Sequence, residues 1–417
     1  MNKLKPLNLN VLMVYHYLIP WGGVEKHILE LADRIAEYGG KVVILSFVID
    51  DLLLEIIPPE GYEKNKINFQ MLKLGAFSRH KLYLVRLPKS LKILKIFVRF
   101  ELFRDFILGL ILSRSIRSVI RSENLNIIYA CEPLSIIAAR FLAPKRTYIT
   151  KVRRIAVIHS SWHFRSILRK ILAKALLGNF DKIIVSTIDT TSYARIKEIQ
   201  PKKCIFVPNW VDTDRFRPIF EEKKNLRKIL KIGINDNDIV ILYNARLTFI
   251  KNPINVLLAF IYLKKKIGEN LKMIILGTGI LEKLISNIIY KFKLERDIIL
   301  LKPFPYESEY YPLIYNISDI FVLVPYHTGF SITALEALAS GLTVIYSNNL
   351  GIPPDIKKVL IQCNPRSVKD IIYKLTLAYN YVVKGCNNVN KYQKIVNRYD
   401  KKTVLNRLIS IIEDINR

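Results

Sequence analysis

Twice along this chain a buried strand runs through a glycine turn into a helix and on into another strand, and few folds accept that pattern. Near the start, Asn10-Val11-Leu12-Met13-Val14-Tyr15-His16 reads as a short buried strand. Trp21-Gly22-Gly23-Val24-Glu25-Lys26-His27 then turns into a helix running to about Tyr38, which Gly39-Gly40 ends. Lys41-Val42-Val43-Ile44-Leu45 is the next strand, completing a right-handed βαβ unit of a doubly wound sheet. Far downstream, Asp319 to Pro325 reads as a buried strand and a turn containing Gly329 opens a short apolar helix. Gly341 closes that helix in the C′ position, and Leu342 to Ser347 is the strand that follows. A strand end, a glycine turn and a helix N-terminus together leave backbone N–H groups aimed at one point, which suits an anion.

The rest of the chain repeats the theme. Asn126 to Ala130, Arg154 to His159 and Asp181 to Ser186 are apolar runs of strand length separated by helical patterns. In the second half, Ile239 to Leu247, Met273 to Leu276 before its glycine turn, and Ile298 to Phe304 are read as strands too. With 417 residues the chain is too long for one ordinary core, so two domains are expected. A boundary falls near Ile205 to Pro218, giving domains 1–205 and 206–390 and a helical tail 391–417. Half of the residues are hydrophobic, which excludes a disordered chain. Cys131, Cys204, Cys363 and Cys386 are scattered and read as buried thiols of a reducing compartment. Met1 to Asn10 is polar and lacks the apolar core of a signal peptide.

Four side chains are candidates for chemistry, and each has a plainer reading. Arg246 stands at the end of a strand and Lys251 five positions on, where two positive charges suit an anion; in so basic a chain they would ordinarily be surface charges. Glu336 is the one carboxylate of an apolar helix and by itself would be a surface glutamate. His159 sits just past the carboxyl end of its strand, the edge where open α/β sheets bind ligands, though a lone histidine is usually structural or solvated. No Asp-x-Asp stands at a strand end to hold a metal; Asp236-Asn237-Asp238 precedes its strand and reads as a loop.

Tyr326 to Gly341 resembles the signature of the nucleotide-sugar-dependent, retaining GT-B glycosyltransferases of family 4, also called glycosyl transferases group 1. Their Glu-Gly-Phe-Gly turn precedes a helix with a second Glu eight positions after the first, and Glu336 matches that second Glu. Gly22-Gly23 with the helix after it, the Pro208 to Pro218 run, Arg246 with Lys251, and the Gly277-Thr278-Gly279 turn also resemble the family's segments. The resemblance implies an α/β protein of two Rossmann-like domains facing across a cleft, with the tail returning to the first. It implies transfer of a sugar, a hexose in the usual case, from a nucleoside-diphosphate donor with retention, using neither cofactor nor metal. Donor contacts would come from Gly22, Gly23, Gly277, Thr328, Gly329, Phe330 and Ser331, with the ribose diol on Glu336. Arg246 and Lys251 would neutralise the diphosphate from an open cleft, so that losing either would spare folding. His159 would lie beside the transferred sugar. Thr328, Ser331, Ala245, Asn252 and Trp210 depart from the pattern, where the family has a first Glu and four glycines. Those departures also suit a non-catalytic relative that binds or regulates a partner.

The formal net charge of +30 calls for an anionic partner or reflects a cationic habit of the host. No zinc-finger, RNP-like or KH-like pattern supports nucleic acid, although a basic nucleic-acid- or membrane-surface-binding protein stays open on charge alone. The segment His80 to Glu123 sets Lys92, Lys95 and Arg99, three or four positions apart, between Leu, Ile and Phe, giving a cationic face and an apolar face. It reads either as core helices or as an interfacial helix on anionic lipid. No run reaches the roughly eighteen uncharged residues needed to span a bilayer. The second reading would place a cytoplasmic enzyme peripherally at the inner face of the cell membrane, beside a glycan or a polyprenyl-phosphate-linked acceptor.

Overall fold

The computed structural model describes residues 9–15, 23–48, 63–64, 69–71, 80–86, 101–141, 152–159, 167–188, 193–219, 223–230, 232–268, 270–306, 308–327, 329, 331–348, 351–385 and 389–416. The chain divides into two compact units, Met1–Val207 with Leu405–Arg417, and Pro208–Val404.

The first unit is built on nine strands. They are β1 Asn10–Tyr15, β2 Lys41–Val48, β3 Glu63–Lys64, β4 Phe69–Met71, β5 Lys81–Arg86, β6 Ile127–Cys131, β7 Arg153–Ile158, β8 Lys182–Val185 and β9 Cys204–Phe206. Their order is β3-β4-β5-β2-β1-β6-β7-β8-β9, parallel throughout except where β4 pairs with β3 and β5. Because helices cover a parallel sheet on both faces, its strands carry continuous apolar runs rather than alternation, as Ile127–Cys131 does with every residue buried. The helix Gly23–Glu37 ends in a turn at Gly39, whose φ of 79° is left-handed and costs a glycine nothing. The closing helix Lys401–Asn416 buries Leu405, Leu408, Ile409 and Ile412. Its Asn406 accepts from Arg34 at 2.9 Å, and Asn416 accepts from Asn126 at 3.2 Å.

One expectation fails here. The segment His80 to Glu123, read as core helices or an interfacial helix, instead begins with strand β5, Lys81–Arg86. That strand pairs parallel with β2 from Val43↔Lys81 to Val48↔Arg86 and antiparallel with β4. Tyr83 suits a pleated strand, and β5 has a partner on each side. Residues 87–100, with Lys92, Lys95 and Arg99, lie outside the described residues. The helix Glu101–Glu123 places Leu108, Leu112, Ile116, Val119 and Ile120 in the core of the first unit. Among the described residues no helix is long and apolar enough to cross a membrane.

The second unit holds β10 Ile239–Asn244, β11 Leu271–Leu276, β12 Ile298–Leu301, β13 Ile320–Leu323, β14 Thr343–Ser347 and β15 Ile361–Cys363. All are parallel, in the order β12-β11-β10-β13-β14-β15. Strand order therefore reverses between β10 and β13, the switch point at which doubly wound sheets bind ligands. A partly buried ion cluster fastens these two strands at their other end. Asp319 accepts the N–H of Val240 at 2.8 Å, Lys223 Nζ at 2.5 Å and Arg227 Nη2 at 3.1 Å. The buried Arg227 also donates to the carbonyls of Asn235, Asp236 and Ile317. That spreads its charge over enough acceptors to offset desolvation.

Candidate functional site

Strand β10 ends at Asn244, three residues before the expected end, because the chain beyond it bends onto the turn after β11. Ala245 N–H bonds the Leu276 carbonyl at 3.2 Å, and Leu247 N–H the Thr278 carbonyl at 2.9 Å. The contact is tight enough that a Cβ on Gly277 would lie 2.1 Å from the Ala245 carbonyl oxygen. Gly277 thus fixes the loop carrying Arg246. A one-turn 3-10 helix, Phe249–Lys251, follows, and Asn252 takes the left-handed φ of 59°. Nδ2 of Asn252 ties that turn to the carbonyls of Val324 at 3.1 Å and Pro365 at 2.8 Å, so it is anchored to the end of β13.

Arg246 is exposed and Lys251 is partly buried. The ammonium of Lys251 is nonetheless deep: burial first, and the Arg246 guanidinium second, hold it down to about 8 from the usual 10.5. Two positive groups are therefore kept together at the strand switch point against their own repulsion. The expectation that both stand in the open is corrected for Lys251. An anion arriving there would relieve both the repulsion and part of the desolvation.

Across the switch point, Ser331 precedes the helix Ile332–Ala339 as its N-cap, and Gly341 ends it at φ 83°. The Ser331 N–H, expected to face an anion, donates to the Tyr346 hydroxyl at 3.0 Å. Sequence reading missed Tyr346 because it lies on the next strand, β14. Glu336 is only 1% exposed. Its Oε2 accepts from Tyr311 Oη at 2.8 Å and from Tyr315 Oη at 2.7 Å. Asn244 Nδ2 in turn donates to the same two hydroxyls at 3.1 and 2.8 Å. Glu336 is therefore not the surface glutamate of the plainer reading, and its buried charge is met by donors.

The corresponding edge of the first unit lies where β1 and β6 adjoin, again at a strand-order reversal. His159 follows β7 directly, and its backbone N–H donates to Glu132 Oε1 at 3.1 Å. Glu132 itself holds a left-handed φ of 70°, a conformation that disfavours a non-glycine residue and tends to mark functional loops. The His27 ring meets the His159 ring edge-on, with centroids 4.3 Å apart. Its Nε2 lies 2.7 Å from Tyr129 Oη. Burial first and His159 second push the His27 imidazole well below its ordinary value, so it is neutral near pH 7. His27, Tyr129 and Glu132 were not singled out in the sequence, and only their positions at strand ends and in the first helical turn hinted at them.

Arg246, Lys251, Gly277, Gly329, Ser331 and Glu336 thus occur in the second unit, all but Glu336 in the turns around the ends of β10, β11 and β13. Gly23 opens the helix after β1, and His159 stands at the edge of the first unit. Gly22, Thr328 and Phe330 lie outside the described residues. Among the described residues no three His, Cys, Asp or Glu side chains converge as metal ligands.

Family models match both halves. Residues 21–215 match Glycosyltransferase Family 4, and residues 224–392 match Glycosyl transferases group 1. The UDP-Gal:alpha-D-GlcNAc-diphosphoundecaprenol alpha-1,3-galactosyltransferase of Escherichia coli is 29% identical over 222 residues, covering 49% of this chain. The chain spans only about half, 55%, of that relative's length. Among solved structures, sucrose-phosphate synthase of Thermosynechococcus elongatus superposes with a TM-score of 0.74 at 14% identity, over 98% of this chain and 99% of that one. The Anabaena protein HepE, solved with UDP and glucose, gives 0.69 at 13% identity, over 98% and 100%.

Proposed function

The chain belongs to the family 4, group 1 glycosyltransferases of GT-B fold, and from that premise we propose that it transfers a sugar from a nucleoside-diphosphate donor with retention of configuration. The observation that carries the reading is the pairing of Arg246 with a half-buried Lys251 whose ammonium is held down to about 8. A charge kept in an unfavourable place is worth keeping where a diphosphate must leave, since preorganised positive charge absorbs what develops as the glycosidic bond breaks. N–H groups of the first turn of Ile332–Ala339 add to it, with Gly329 and Ser331 shaping the turn. Gly277 holds the Arg246 loop in place. Glu336 takes the ribose diol. Two cations at the diphosphate would also remove the need for a metal.

In the first unit, His159 and the Gly22-Gly23 turn serve the acceptor side. No side chain is assigned as a nucleophile. Front-face attack by the acceptor hydroxyl, its proton passing to the leaving phosphate, accounts for retention. A glycan or polyprenyl-phosphate-linked acceptor, met at the inner face of the membrane, agrees with the net charge of +30 and with the printed activity of the Escherichia coli relative.

The test is thermal unfolding with UDP-, GDP- and ADP-hexoses. A ligand present at 100 times its Kd stabilises by about 2.7 kcal/mol. One donor class should raise the midpoint by several degrees in the parent and not in Arg246→Ala. No shift with any donor would count against the reading.

A further inference from the structure

A carboxylate as buried as that of Glu336 has to be answered by donors, but nothing about burial requires that the donors be two tyrosines on one oxygen. Tyr311 and Tyr315 stand one turn apart on the helix Tyr310–Asn316, so both rings leave the same face. Their hydroxyls lie 3.2 Å from each other and within 2.8 Å of Glu336 Oε2. Asn244 has two N–H hydrogens on Nδ2, enough for one to each hydroxyl oxygen. Each hydroxyl hydrogen is then directed at Oε2. Phe216 seats both rings edge-on, at 5.7 and 5.4 Å between centroids, and Tyr315 stacks on Phe321 at 6.3 Å.

The consequences are geometric. Two donors converging on one oxygen stop the carboxylate from turning about its last bond. The plane of Glu336, and with it the direction in which Oε1 faces, is set by Asn244 through the tyrosines. Asn244 is the last residue of β10, two positions before Arg246. We infer that Tyr311 and Tyr315, backed by Asn244, are positioning residues that orient Glu336 toward the ribose diol of the donor and tie that contact to the strand end bearing Arg246. The inference rests on the assignment of Glu336 to the ribose. An aromatic and apolar filling of the same space would stabilise the fold at least as well, since buried polar networks seldom exceed well-packed apolar replacements.

The experiment is calorimetric titration of UDP, GDP and ADP, each compared with its 2′,3′-dideoxy form, which lacks both hydroxyls. The quantity read is the ratio of dideoxy to ribose Kd for the diphosphate that binds. Tyr311→Phe and Tyr315→Phe remove one oxygen each and keep the rings, so folding is expected to persist in both and in the double variant. The ratio should fall by several-fold in each single variant and by about tenfold or more in the double, the range of hydrogen bonds to a charged group. Affinity for the dideoxy form should stay within about twofold. Equal loss for both forms would show a merely structural role and overturn the inference, as would an unchanged ratio. Glu336→Ala separates the two layers. If its ratio stays at the parent's value, the ribose assignment itself is wrong. If its ratio collapses while the tyrosine variants keep theirs, the assignment stands and the positioning role falls.

Discussion

Lys251→Met should make the protein more stable while disabling it. In the fold, burial and then Arg246 hold the Lys251 ammonium down to about 8, against 10.5 for an ordinary lysine. In the unfolded chain the group returns to the ordinary range. Between those values the unfolded chain binds more protons than the folded one, so stability rises as pH rises through that window. Below about pH 8 both states are protonated and the fold bears the whole cost. The gap between 8 and 10.5 corresponds to about 3 kcal/mol. Methionine keeps an unbranched stem of similar length without the charge. The substitution should therefore stabilise the protein by about 1–3 kcal/mol at pH 7, less whatever the ammonium's own contacts contribute. By pH 10.5 the advantage should have faded. A donor diphosphate works in the opposite sense and draws a proton back onto Lys251. Above pH 8, affinity for the donor should fall by up to about tenfold per pH unit. Urea unfolding of parent and variant at pH 7 and 10.5 reads the first effect. Calorimetry at pH 8.5 in two buffers of different ionisation enthalpy reads the second. A Lys251→Met variant equally destabilised at both pH values, together with donor binding that takes up no proton, would refute the reasoning.

Two further outcomes follow from the packing around the switch point. Gly277→Ala puts a Cβ 2.1 Å from the Ala245 carbonyl oxygen, so the backbone must move. It should lose about 1–3 kcal/mol of stability and at least tenfold in donor affinity, checked by urea unfolding and calorimetry. Arg227→Met strips the partly buried cluster around Asp319 of its guanidinium and leaves the Ile317, Asn235 and Asp236 carbonyls short of a donor. It should cost about 3–5 kcal/mol in urea unfolding while donor preference stays as in the parent.

How far the sequence could be read depended on the range of the interactions involved. Strands β1, β7, β10 and β13 announced themselves because a strand of a covered parallel sheet is apolar along its whole length. Gly341 was legible as a helix end because a left-handed residue favours glycine, and φ 83° is what it adopts. Arg246, Lys251, Glu336 and His159 could be named from the turns and helix that carry them and from their resemblance to a family. Their environments could not. The depth of Lys251 follows from the Asn252 anchor to Val324 and Pro365, 72 and 113 residues away in sequence. The tyrosines on Glu336 sit 25 and 21 residues before it, on a helix whose facing direction no local pattern fixes. Tyr346 takes the Ser331 N–H from a neighbouring strand. Lys81–Arg86 was not legible as a strand because pairing on both edges fixes it, and strand preference depends on neighbours more than on the residues themselves.

The central claim is that this chain breaks the bond between a sugar and a nucleoside diphosphate, with Arg246 and Lys251 beside the leaving group. It is tested most directly by incubating UDP-, GDP- and ADP-hexoses with the protein without acceptor. Phosphorus NMR follows release of the diphosphate, and proton NMR reads the anomer of the freed sugar before it mutarotates. The expected result is release from one donor class, a sugar that first appears in the donor's own anomeric configuration, and a rate at least roughly 100-fold lower in Arg246→Ala. Release that is absent for every donor, that gives the opposite anomer, or that proceeds unchanged in Arg246→Ala would contradict it.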